Sequence, residues 1–287
     1  MEEILHGVSH AFIHSLKELL FTVPLLFLAY LLMEYIEHKA STKMEYSISK
    51  IGKFGPFLGT GLGLIPQCGF SASCSNLYAT GLLTEGTLIA VFIATSDEAI
   101  PLLLASSDGV RGDIWKFIVV KIVFGILIGF MVDLMLKILK IQKQHIELCE
   151  DCGCEEEGGI LKPALKHTLK TALFILAVSF VLGIVMEFVG EDILHKILLT
   201  NSYAQPFVAS LLGLIPNCSV SVAMIELYSE GVLSFGAACA GLCSGAGIGL
   251  AVLFKTNKCF KENMRIVGVL YATSAMIGFF LMLFNVQ

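Results

Sequence analysis

Two stretches of this chain place chemically capable residues in an otherwise apolar setting. Gly63 to Tyr78 reads GLIPQCGFSASCSNLY, and Gly213 to Tyr228 reads GLIPNCSVSVAMIELY. In each, a cysteine stands two residues after a proline, Cys68 after Pro66 and Cys218 after Pro216, with an amide side chain, Gln67 or Asn217, between them. Proline inside an apolar helix removes a donor and frees a carbonyl, which hydrocarbon tolerates only against protein or a wet cavity. Each stretch therefore reads as a helix break that exposes backbone dipoles beside a thiol, and thiols suit soft metals. The plainer reading is a packing kink with cysteine as a small filler. It explains one cysteine better than it explains a matched pair.

Carboxylates supply a second chemistry. Asp97 and Glu98, preceded by Ser96, lie between apolar runs in ATSDEAIP, and Glu226 lies in AMIELY. Acidic groups inside a membrane are costly and point to ion or proton pathways. Glu226 stands where the first stretch has Asn76, so both positions join the candidate substrate or ion site. A third chemistry lies in the polar tract HIELCEDCGCEEEGG, where Cys149, Cys152 and Cys154 crowd among acidic residues. Thiolates so spaced can capture a soft or borderline metal, although a solvated acidic loop has the same composition. The candidate metal contacts are thus Cys68, Asp97, Glu98, Cys218, Glu226 and these three cysteines. Cys239 and Cys243, four apart on one helical face, read more simply as small packing residues. His6, His10 and His14 read as an interfacial stripe.

The elements that must hold these groups follow from composition. The chain has 287 residues, is 56% hydrophobic and is only 15% charged, where a soluble domain carries about 25%. Several runs reach the ~20 residues needed to span a bilayer. Phe12 to Tyr35, Ile114 to Ile138, Thr171 to Val189 and Ile266 to Phe284 read as helices. Gly190 to Lys196, GEDILHK, reads as a short polar loop, and Lys255 to Arg265 as a basic one. The nine cysteines are odd in number and mostly lie in or beside apolar segments, unlike a secreted disulfide framework. No basic leader with a small-residue cleavage site opens the sequence, so the N-terminus is kept as part of the mature chain.

An internal duplication organises the whole. Pro56, Gly63, Pro66, Cys68, Ser71, Tyr78, Gly81 and Gly86 recur 150 residues on as Pro206, Gly213, Pro216, Cys218, Ser221, Tyr228, Gly231 and Gly236. Lys and Arg concentrate in 36–53, at the ends of 137–170 and in 255–265, which places those loops in the cytoplasm and both termini outside. The halves then run in opposite directions. The expectation is an all-α polytopic membrane protein of about ten segments, in two five-segment inverted repeats with broken or re-entrant helices. Residues 1–136 form the first repeat, 137–166 a cytoplasmic Cys/Glu-rich linker and 167–287 the second repeat.

GLIPQCG, TSDEAIP and GLIPNC, joined by a Cys-rich linker, together resemble the ten-transmembrane heavy-metal exporters, relatives of the arsenic efflux permeases that are also labelled manganese transporters. The resemblance covers nearly the whole chain and implies export of a metal or metalloid across the cell membrane. Cys68 and Cys218 suit arsenic or soft metals; Asp97, Glu98 and Glu226 suit Mn(II) or protons. No phosphate-loop motif occurs, so this chain does not use ATP, and proton antiport is the expected coupling. No permanently bound cofactor, no catalytic residue and no nucleic-acid partner is expected, and a homodimer is left open. Transport of another solute, such as an organic anion, remains the alternative, with a membrane thiol oxidoreductase or a metal sensor behind it.

Overall fold

The structure is a computed structural model. It describes residues 54–64, 68–95, 112–140, 161–197 and 203–284, together with scattered helical positions between 16 and 31. The described residues are helical: α1 (Gly55–Gly63), α2 (Cys68–Ala79), α3 (Glu85–Ala94), α4 (Ile114–Ile138), α5 (Leu161–Ile197), α6 (Gln205–Gly213), α7 (Cys218–Ser229), α8 (Phe235–Ser244), α9 (Ile248–Thr256) and α10 (Phe260–Leu283). Four segments among them are long and apolar enough to cross a bilayer, namely Ile114–Ile138, Ala164–Leu182, Phe235–Thr256 and Phe260–Leu283. The third is interrupted at Gly245 to Gly247, where Gly247 takes a φ of 53° and α8 gives way to α9.

The same local solutions recur at an offset of 150. After α2 and α7 the chain turns through Gly81 at φ 82° and Gly231 at φ 76°, a region that glycine enters without steric cost. In both turns the glycine N–H donates to a tyrosine carbonyl, Tyr78 at 2.9 Å and Tyr228 at 3.0 Å. The next helices open on hydroxyl caps. The Thr84 hydroxyl accepts from the Thr87 N–H at 3.1 Å, and the Ser234 hydroxyl accepts from the Ala237 N–H at 3.2 Å.

Glycines then let backbones touch. A methyl group on Gly86 would sit 2.1 Å from the Gly129 carbonyl oxygen, and one on Gly236 would sit 2.5 Å from that of Gly278. Antiparallel α3/α4 and α8/α10 pairs result. Helix α1 lies along α3 in parallel, with Gly55 against Thr87 and Gly63 against Val91 and Ala94. The chain must therefore return through α2, so α1 and α2 form a helical hairpin. Ala209 and Gly213 of α6 against Gly241 and Ser244 of α8 repeat that arrangement. Helices α3 and α8 are buried along all ten of their residues and form the centre of the bundle.

Two expectations need correction. Gly190 to Lys196 is helical, not a loop, because no proline interrupts it, and α5 runs for 37 residues. At ~1.5 Å per residue it exceeds a ~30 Å hydrocarbon layer by nearly twofold, so its polar portion must project beyond it. Helix α4 reaches Ile138 and α5 begins at Leu161, so both ends of the polar tract 137–170 are helical. The basic loop 255–265 shrinks to 257–259 between α9 and α10. There the Asn257 amide donates to the Asn263 oxygen at 2.8 Å, and the Asn263 amide returns a bond to the Asn257 carbonyl at 3.0 Å, which closes the tight connection.

Candidate functional site

In the second half the break is visible residue by residue. Helix α6 ends at Gly213, Pro216 and Asn217 are non-helical, and Cys218 is the first residue of α7. The Asn217 N–H donates to the Ile215 carbonyl at 2.8 Å, and its own carbonyl accepts from Val220 at 3.3 Å. Cys68 likewise opens α2 in the first half. Both cysteines thus occupy the positive end of a helix, where anions are favoured. Gln67, Ser96, Asp97, Glu98 and the linker cysteines Cys149, Cys152 and Cys154 lie outside the described residues. Among the described residues, no three His, Cys, Asp or Glu side chains gather into a metal site.

Two predicted positions behave oppositely. Asn76 is only 3% exposed, and among the described residues neither its amide nitrogen nor its oxygen has a hydrogen-bond partner. The Ser73 hydroxyl, one turn earlier, is likewise buried and unpartnered among them. Its neighbour Ser75, by contrast, donates to the Ser71 carbonyl at 2.9 Å and to the Gly249 carbonyl of α9 at 2.7 Å. Glu226, at the position equivalent to Asn76, is exposed on α7 rather than enclosed. Asn76 also stands two turns along α2 from Cys68, so the structure spreads these groups along a helix. Cys239 and Cys243 are buried in α8, in keeping with packing residues.

Sequence reasoning missed three clusters. The first is Lys121, buried in α4 at 3% exposure. Its ammonium donates to the Leu242 carbonyl at 2.8 Å, the Ile93 carbonyl at 3.3 Å and the Thr95 carbonyl. A lysine inside the apolar run IWKFIVVKIVF was the available signal. The second joins the two halves: the Arg265 guanidinium of α10 forks onto the Glu85 carboxylate of α3, with Nε to Oε1 at 2.9 Å. Tyr78 donates weakly to Glu262 at 3.3 Å and to Glu85 at 3.5 Å, and Asn257 donates to Glu262 at 3.3 Å. The third is its counterpart at the start of α4, where Tyr228 donates to Asp113 at 2.6 Å and Lys116 pairs with the same carboxylate at 2.7 Å. Burial pulls the Asp113 carboxyl upward, but the bonds from Lys116 and Tyr228 outweigh it and hold the group below its ordinary 3.8.

Membrane-length apolar helices around a buried, interrupted centre define a polytopic helical membrane protein. The chain belongs to the family described as "Putative, 10TM heavy-metal exporter", whose model matches residues 7–194. That match spans the first half and most of α5. No curated protein and no solved structure matches the chain.

Proposed function

We propose that this chain is a secondary transporter that exports a heavy metal or metalloid, with the cargo handled at the two Pro-x-Cys helix breaks and proton movement as the coupling reaction. The observation that carries the reading is Asn76. A buried amide left without partners costs on the order of 1–3 kcal/mol, and such groups are rare in folded proteins. A passing ion with its remaining hydration water would supply the missing bonds. The paired breaks support the same reading, because broken segments at matching positions of two repeats are where transporters bind their substrates.

The repeats are inverted in this scheme, and the α1/α2 and α6/α7 hairpins are re-entrant. Both termini lie outside and the linker 137–170 lies in the cytoplasm. The cluster around Arg265 then faces the cytoplasm and the cluster around Asp113 faces outward, so alternate opening of the two ends gives alternating access. Asp97, Glu98 and Glu226 are the proton or hard-ion groups, Cys68 and Cys218 the soft-ion groups, and Cys149, Cys152 and Cys154 a capture site on the linker. Ser96, Gln67 and Asn217 complete the polar lining.

Proteoliposomes offered Mn(II), Zn(II), arsenite or methylarsenite under a pH gradient test this. Flux of one species, lost in Asp97→Asn and in Cys68→Ser/Cys218→Ser, is the expected result. Loss in the first variant alone would select the hard-ion reading, and loss in the second alone the soft-ion reading. Folded protein that moves none of the four would end the metal reading in favour of an organic solute. Asn76→Leu separates function from folding: the variant should be as stable as the native chain or more so, yet inactive.

A further inference from the structure

Helices α3 and α8 start from opposite ends of the bundle. The α3 N-terminus lies at the Arg265 cluster, and the α8 N-terminus packs Phe235 against Phe117 and Tyr228 at the Asp113 cluster. Each is ten residues long, ~15 Å, about half a hydrocarbon layer. Their C-termini converge on Lys121.

The last carbonyls of any helix lack intrahelical donors and carry its negative end. The break after α8 makes this acute: the Ala246 N–H, which would have bonded Leu242 in a continuous helix, turns to Ser244 at 2.9 Å. The Leu242 carbonyl is thereby released to Lys121, which also donates to the Ile93 and Thr95 carbonyls at the end of α3. Thr95 already departs from helical geometry, with ψ at 127°. Among the described residues, three carbonyl oxygens from two broken helices accept hydrogen bonds from this ammonium. Converging carbonyls at half-helix C-termini are the ligands with which transporters hold a monovalent coupling cation. An ammonium and a potassium ion are close in size.

We propose that Ile93, Thr95 and Leu242 form a monovalent-cation site and that Lys121 fills it with a tethered ammonium. The chain thus carries its own cation at the junction of its two halves. The repeat relation fits: at the offset of 149 that pairs Gly129 with Gly278, α10 has Leu270, so one charge serves both helix ends. With the site filled from within, alkali cations have no place there as coupling ions, whatever the cargo.

The test needs no transported species and so stands apart from the export reading. Purified protein is melted in choline chloride, NaCl and KCl of equal ionic strength. The native chain and Lys121→Arg should melt alike in all three salts. Lys121→Ala and Lys121→Ser should melt about 10 °C lower in choline, as expected for several lost buried bonds, and recover saturably with K⁺, less with Na⁺. Neutral variants as stable as the native chain in choline would overturn the proposal. So would destabilised variants indifferent to every alkali cation, or native protein showing the same K⁺ response. Failure of both neutral variants to fold in any salt, while Lys121→Arg folds, would also overturn it, because a free cation then could not replace the tether.

Discussion

At one end of the bundle Tyr78 sits 1% exposed between two buried carboxylates, Glu85 and Glu262, with Arg265 as their cation. At the other, the equivalent Tyr228 is half-buried and makes one short bond to Asp113, and Phe235 replaces Glu85 beside a T-shaped contact between Tyr228 and Phe117. The backbone frame is the same at both ends, down to the left-handed glycine and the hydroxyl cap. Only the side chains differ. One end is closed by an ion network around two buried carboxylates, and the other by aromatic packing beside an Asp113 carboxylate held by Tyr228 and Lys116. A duplicated scaffold can therefore keep its geometry while closing its two ends with different chemistry.

The largest effect should come from breaking the buried network. Arg265→Ala strands the Glu85 carboxylate and is expected to cost about 3–5 kcal/mol, read as a fall in melting temperature. Adding Glu85→Leu to Arg265→Leu imports the apolar solution of the other end and should restore part of that loss. If the single and double variants melt alike, the ion pair is not what holds this end. Next come the glycine contacts. Gly86→Ala and Gly236→Ala should each cost about 1–3 kcal/mol by forcing carbonyl oxygens away, and by similar amounts, since the frame is shared. A tolerated substitution in one half alone would break the equivalence.

Smaller effects separate the tyrosines. Tyr228→Phe removes a short bond to a charged acceptor and should cost about 1.5 kcal/mol, whereas the Tyr78 hydroxyl shares one proton between Glu85 and Glu262 at long range, and Tyr78→Phe should cost less. The reverse order in a thermal melt would argue that Tyr78 binds its carboxylates more tightly than its geometry indicates. The smallest signal is a pH response. Asp113 has a lowered folded pKa, so its stabilising contribution is complete above the ordinary value of 3.8 and lost as pH falls through the folded value. Melting temperature should become insensitive to Asp113 chemistry only once pH has fallen below this lowered folded value. Asp113→Asn should melt lower than the native chain at neutral pH, and the gap should close on the acid side.

Much of the architecture is legible in the residues themselves. The register Gly63/Gly213 through Gly86/Gly236 can be read because close backbone approach and left-handed turns admit little but glycine, so their geometry leaves marks in sequence. Helix α4 can be read to the residue because a long apolar run ends in charge on both sides. The length of α5 cannot, since polar composition marks contact with water and does not by itself end a helix. Asn76 stands out as a polar residue in an apolar block, but its lack of partners depends on what packs around it.

The order of residues dictates what is local here: membrane helices, a cysteine two residues after a proline in each half, and a repeat of 150 residues. Which charges meet is decided by packing in three dimensions. Glu85 and Arg265 are 180 residues apart, and Lys121 reaches carbonyls contributed by both halves. Backbone carbonyls have no identity in a sequence, and a salt bridge across two repeats has no spacing rule. Such partners are fixed by the packing of whole helices, which sets the free energy of burying each charge.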